Sequence, residues 1–173
     1  MAIHLKHGGS TAARTIQCPA WQRLSAEVPL TLEGAANAPA DEGTMLHNCM
    51  EELYDYDLTT SYVPDVSDLW SEGREYNGQH LTADHVDNKL WPAIQAVDDL
   101  MEEYDITEWK VEPFVKIDTD IGGSIDFLGV SDDKKTVVIV DYKFGFVNVE
   151  VEENAQAQFY ALAAAIDPLT SDW

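Results

Sequence analysis

Apolar residues recur along the chain with two different periods. Met45, Leu46, Cys49, Met50 and Leu53 fall at i, i+1, i+4, i+5 and i+8, which predicts a helix beginning near Asp41. Acids at 41 and 42 suit the positive end of its dipole. Val86, Leu90, Ile94, Val97 and Met101 predict a second helix over 84–104, with a kink or break near Trp91 because Pro92 has no N–H to donate. A shorter helix over 10–24 is interrupted at Pro19. From Trp109 the period drops to two: Trp109, Val111, Pro113 and Val115 alternate with Lys110, Glu112, Phe114 and Lys116. Residues 121–130 read as a second strand and 131–135 (SDDKK) as a polar hairpin turn. The uniformly apolar or β-branched run 136–140 is what a central strand covered on both faces requires. Residues 144–151 alternate around a glycine and suggest an edge strand. Residues 152–166 are alanine-rich and helical, and Pro168 ends them. Residues 31–40 read as a loop and 57–81 as an irregular surface excursion.

At 173 residues and 45% hydrophobic content, the expectation is one domain over 1–173, with an N-terminal arm at 1–40 and a core at 41–173. The first nine residues lack the apolar segment of a secretion signal, and no run approaches membrane-spanning length. A cytoplasmic protein without a membrane partner is therefore expected. Cys18 and Cys49 are too few for a disulfide framework and read as free thiols.

The net charge of -22 changes the picture most. Phosphate binders usually carry a basic patch, because neutralising phosphates supplies much of their affinity. Here residues 41–113 hold 19 acids against 3 bases, whereas 1–40 are close to neutral through Lys6, Arg14 and Arg23. That arm, Arg14 included, is the part suited to phosphate contacts. Bound divalent cations or a basic partner would offset the rest.

The candidate chemistry lies between 112 and 160. Asp141 and Lys143 are two apart at the end of a strand, so they project to one face while Tyr142 points to the other. Asp126 faces opposite to Ile125 and Phe127. If its strand pairs antiparallel with 136–143, Asp126 and Asp141 are expected to be far from direct opposites and to meet only through twist. Two carboxylates meeting at one point bind Mg²⁺ or Mn²⁺, which polarises a phosphate and acidifies a bound water. A lysine beside them stabilises developing charge. Glu112 is positioned to add a third carboxylate.

These residues resemble the PD-(D/E)XK nuclease superfamily, and within it the RecB-like exonuclease branch and a phage and prophage subgroup. The resemblance rests on Gly123-Ser124-Ile125-Asp126, on Asp141-Tyr142-Lys143, on the Gln156 to Tyr160 spacing of a Q-x-x-x-Y helix, and on Gly43-Thr44-Met45-Leu46-His47. It implies an α/β fold with a restriction-endonuclease-like core: a mixed central β-sheet, antiparallel at its start, flanked by helices. It further implies that His47, Asp126, Asp141, Glu112 and the Tyr142 carbonyl hold Mg²⁺ or Mn²⁺, with Asp126, Asp141, Lys143 and Glu112 catalytic. Gln156 and Tyr160 would contact DNA or buttress the site. The implied activity is exonucleolytic DNA hydrolysis in recombination, repair or phage DNA processing, in the host cytoplasm if phage-encoded.

Two departures bear on this. Many RecB-like relatives bind an iron–sulfur cluster through four cysteines; Cys18 matches the first, and nothing here matches the other three. The family core usually adds a strand after the Q-x-x-x-Y helix, whereas this chain stops at Trp173. A shortened version, or completion by a protein partner or second copy, is expected from that. The competing function is a catalytically inactive scaffold or partner-binding protein that keeps the fold.

Plain structural roles stand beside these assignments. Cys18 is an ordinary thiol unless a cluster forms, the acidic stretch 98–105 is a solvated helix face, and His4, His7, His80 and His85 show no ligand spacing.

Overall fold

A computed structural model describes residues 7–27, 38–56, 65–71, 73–145 and 149–167. It is an α/β protein whose chain divides into two compact units, each built from separated stretches of sequence. No helix among the described residues is long and apolar enough to cross a membrane.

The larger unit comprises Ala36–Glu112 and Asp126–Val149. Helix α3 (Ala38–Tyr54) starts three residues before Asp41, inside the stretch expected to be loop, and accommodates Pro39 in its first turn, where the missing N–H costs nothing. Met45, Leu46, Cys49, Met50 and Leu53 are all buried, as the periodicity requires. They meet Val66 and Leu69 of α4 (Val66–Ser71), Leu90, Val97, Phe127 and Tyr142 in a single cluster. The expected irregular excursion therefore contains a helix, and also a small hairpin of β1 (Glu75–Tyr76) and β2 (Gln79–His80); 57–64 and 72 lie outside the described residues.

Pro92 is absorbed rather than left as a break. Helix α5 (Ala83–His85) runs into a π turn at Val86–Leu90, where the Trp91 N–H reaches back five residues to the Val86 carbonyl, and α6 (Trp91–Glu103) continues with proline in its first turn. The wider turn gives the ring the room that a regular α-helix denies it.

Three antiparallel strands complete this unit in the order β3 (Ile106–Val111), β6 (Phe127–Ser131), β7 (Val137–Val140). The central strand is β6, buried at every position, and not the 136–140 run; Val137 of β7 is 48% exposed. A Cβ at Gly129 would lie 2.7 Å from the Ile106 methyl, so glycine there leaves room for the side chain of the neighbouring strand β3. The buried Cys49 thiol is pushed up to about 11 by burial, with Glu52 adding to the effect. Cys18 is partly exposed, and neither cysteine is disulfide-bonded.

The second unit comprises Met1–Ala35, Pro113–Ile125 and Glu150–Trp173. Its described parts are α1 (Ala12–Gln17) and α2 (Trp21–Ala26), separated at Pro19 as expected, the antiparallel hairpin β4 (Phe114–Asp118) and β5 (Ile121–Ser124), and α7 (Ala155–Ile166). Asn154 caps α7, its side chain accepting from the N–H groups of Gln156 and Ala157 at 3.0 Å each, so the helix begins three residues later than 152. Asp167, 8% exposed, accepts from the Lys116 N–H at 2.5 Å and ties the far end of α7 to β4.

The strands expected over 109–115 and 121–130 are each broken, at Glu112–Pro113 and at Ile125–Asp126, where the chain passes between the units. The described residues of 144–151 form no strand, and 146–148 lie outside the description. Among the described residues the pairings between strands are antiparallel, and a parallel pairing occurs as an isolated bridge from His7 to Ile121.

Candidate metal centre

His47, Glu112 and Asp126 each place a ligand atom within 4.8 Å of the other two. Three elements deliver them. His47 sits on α3 beside the buried stripe. Glu112 follows β3 with φ at 49°, in the left-handed region that non-glycine residues adopt at a cost of about 1–3 kcal/mol. That turn ends β3 and re-aims the Glu112 side chain, and its N–H donates to the Asp126 carbonyl at 3.1 Å. Asp126 immediately precedes β6.

Asp141 reaches the same place by register. Phe127 pairs with Val140, so the next residues outward, Asp126 and Asp141, are direct opposites. This corrects the expectation that they are far apart in the ladder. The Tyr142 N–H donates to Asp126 Oδ2 at 2.6 Å, closing the end of the β6–β7 ladder onto the carboxylate itself. Tyr142 is buried in the hydrophobic cluster, while the Asp141 carboxylate forms an ion pair with Lys143. The geometry thus gathers His47, Glu112 and Asp126 into one group and sets the Asp141–Lys143 pair directly beyond it along β7.

The electrostatics are those of negative charge held close in partial burial. Burial, with the charges of Asp126, Glu51 and Asp141 around it, pushes the Glu112 carboxyl up to about 7. Burial also raises Asp126 above the ordinary carboxylate range, and Asp141 adds to this; His47, the Tyr142 N–H and Lys143 act in the opposite direction. His47 Nδ1 lies 3.4 Å from Asp126 Oδ2. Its ring also packs edge-on against Tyr142 and Phe144, with centroids 5.8 and 5.4 Å away. That aromatic brace was not foreseen, although Tyr142 and Phe144 flank Lys143 in the sequence.

A folded acid whose proton is held more tightly than in the unfolded chain binds more protons when folded, so stability falls as pH rises between the two values. For Glu112 that window runs from 4.5 to about 7. In metal-free protein the melting temperature is expected to drop across this window, and Glu112→Gln to flatten the drop. An unchanged profile in the variant would show that Glu112 titrates normally. The size is modest, because Glu112 is only half-buried and solvent screens it.

The donor set fits a divalent cation. One imidazole nitrogen and two carboxylates supply hard oxygens with a borderline nitrogen, within a span that small side-chain rotations bring to coordination distance. A bound cation would also counter the burial and the neighbouring negative charges that hold the Glu112 carboxyl's proton.

Gln156, Tyr160 and Arg14 belong to the other unit. Tyr160 is buried there, its ring filling the space over Gly9, where a Cβ would lie 2.5 Å from it, and over Gly123. Gln156 is half-buried on the same helix. The Arg14 guanidinium stacks over Trp21 at 4.9 Å and is otherwise exposed.

The family model of the PD-(D/E)XK nuclease superfamily matches residues 10–171. No curated protein and no solved structure matches the chain.

Proposed function

Because the chain belongs to the PD-(D/E)XK nuclease superfamily, whose members are metal-dependent nucleases, we propose that it is a Mg²⁺- or Mn²⁺-dependent deoxyribonuclease that degrades DNA from its ends. We place it in the RecB-like branch on Gly43 to His47 and on Gln156 to Tyr160, and in cytoplasmic recombination, repair or phage DNA processing. The observation that carries the catalytic reading is the convergence of His47, Glu112 and Asp126 beside the Asp141–Lys143 pair. Its imidazole favours Mn²⁺ over Mg²⁺.

In this reading His47, Glu112, Asp126 and Asp141 hold the cation. The bound cation supplies Lewis-acid polarisation of the phosphate and a more acidic water. Lys143, 41% exposed at its side chain, swings its ammonium from Asp141 toward the scissile phosphate and stabilises the charge that develops there. Asp126 keeps the end of the β6–β7 ladder shut through the Tyr142 N–H, so these groups stay in register during turnover. Tyr142 and Phe144 hold the His47 ring and restrict its rotation. Arg14 and Gln156 serve DNA contacts, and Tyr160 supports the fold beneath them.

The second reading, an inactive scaffold that binds a partner protein or a second copy, draws on the net charge of -22, which opposes DNA approach. End-labelled linear and closed-circular DNA, incubated with Mg²⁺ or Mn²⁺ and wild type or Lys143→Ala, separates the two. Loss of the linear form alone, abolished in the variant, is the expected result. Cutting of the circle would replace exonuclease by endonuclease. No cleavage and no Mn²⁺-induced rise in melting temperature would favour the scaffold.

A further inference from the structure

The smaller unit holds a cavity of about 430 Å³ between α1, β5 and α7. Its walls are apolar, formed by Ile16 of α1, Ile121 of β5, and Phe159 and Leu162 of α7. Ile16 and Leu162 are 69% and 52% exposed, so the cavity opens to water across apolar side chains. His7, Thr15 and Gln158 supply the polar groups of the lining. His7 Nδ1 lies 3.4 Å from the Gln22 amide nitrogen, and accepting from it leaves the ring proton on Nε2. Gln158 is exposed, and its amide offers both a donor and an acceptor. Apolar and aromatic walls with a few polar groups are the usual make-up of a small-ligand site.

The charge beside the cavity narrows the ligand. The Trp21 indole N–H donates to Thr15 Oγ1 at 3.1 Å, which fixes the ring against a lining residue, and the Arg14 guanidinium lies over that ring at 4.9 Å. Among the described residues no carboxylate pairs with Arg14 or with Arg23. In the larger unit Arg74, Lys89, Lys134, Lys135 and Lys143 are each held by one. In a chain of net charge -22, an exposed arginine beside an apolar, aromatic cavity fits a ligand that is flat on one side and anionic on the other.

We infer that the smaller unit grips single-stranded DNA, taking one unpaired base into this cavity while Arg14, held by Trp21, meets a neighbouring phosphate. The choice of DNA rests on the nuclease reading above. A paired base is stacked and its edge is engaged, so only an unpaired one enters a cavity. Phe159 and the aliphatic walls pack on its face, and His7 and Gln158 meet its edge.

The test is fluorescence anisotropy of a labelled oligothymidine and a blunt duplex of equal length with the full chain, without divalent ions. Wild type is compared with Leu162→Glu, which puts a charge into the cavity, and with Val137→Glu, which adds the same charge at an exposed site of the larger unit. Melting temperatures are recorded for each. Wild type is expected to prefer the single strand, and Leu162→Glu to weaken its binding by about tenfold or more, the worth of one stacked base. Val137→Glu is expected to bind as wild type does. Arg14→Gln, whose side chain is exposed, is expected to reduce the dependence of log affinity on log salt by about 0.7, as loss of one phosphate contact requires. Binding by Leu162→Glu within about twofold of wild type, an equal loss in Val137→Glu, or an unchanged salt dependence in Arg14→Gln would each overturn the inference. So would a wild-type dimer that Leu162→Glu dissociates with DNA binding unchanged, which would give the cavity to a second copy. Cleavage of linear DNA by wild type without preference for the single strand would overturn the inference and leave the nuclease reading standing. Base-dependent binding without cleavage would uphold the grip and remove the nuclease reading.

Discussion

Asp126→Asn should abolish metal-dependent DNA cleavage while leaving the fold intact. The substitution is chosen because Asp126 does two jobs. Its Oδ2 accepts the Tyr142 N–H that closes the β6–β7 ladder, and its charge belongs to the group with His47 and Glu112. Asparagine keeps an oxygen for the first job and removes the charge required by the second. Losing one preorganised charge-stabilising group costs about 10²–10³ in rate, and losing a cation ligand costs at least as much. Cleavage of linear DNA by Asp126→Asn is therefore expected to fall at least about 100-fold, with near-normal melting. Asp126→Ala is the poorer probe, because it would also orphan the Tyr142 N–H and confuse loss of fold with loss of chemistry. Wild-type cleavage rates in Asp126→Asn would take Asp126 out of the site.

The largest stability effect is expected from Leu46→Ala. Leu46 is fully buried on α3, in the cluster that also holds Met50, Leu90, Phe127 and Tyr142. Truncating it removes buried methyl groups and leaves a cavity that a helix pinned on several sides cannot close, which costs about 2–5 kcal/mol. For a chain of this size each kcal/mol moves the melting temperature by about 2–4 °C, so a fall on the order of 10 °C is expected. Chemical denaturation read by far-ultraviolet circular dichroism would check it. A loss below about 1 kcal/mol would mean that α3 relaxes into the gap. The same variant bears on function, since His47 is the next residue and depends on the seat of that helix.

Much of this was legible in the sequence where burial obeys a period. The stripes of α3 and α6 read directly, as did the division at Pro19 and the polar turn that joins β6 to β7. What escaped reading has identifiable physical causes. The left-handed turn at Glu112 is a tertiary requirement that no local propensity encodes, so a single strand was expected where the chain turns away. The uniformly apolar run 136–140 was read as the central strand, yet β6 holds that place, and the missing side chain of Gly129 leaves room there for the Ile106 methyl. Register was the costliest miss. Pairing Val130 with Val137 across the turn makes Asp126 and Asp141 opposite, and no twist is needed. The candidate residues themselves were named from their motifs. The aromatic brace on His47 arises from side-chain packing, which emerges once the elements are placed.

The broken strands have a consequence for how the protein is made. Because the chain leaves the larger unit at Glu112 and re-enters it at Asp126, the smaller unit is threaded through it in sequence. On the ribosome, the larger unit has all its residues once position 149 has emerged, whereas the smaller one still awaits α7. Neither can be cut out as one continuous fragment. His47 must wait through nearly a hundred further residues before Asp141 and Lys143 arrive, so the nascent chain carries no assembled candidate centre until residue 143 has emerged.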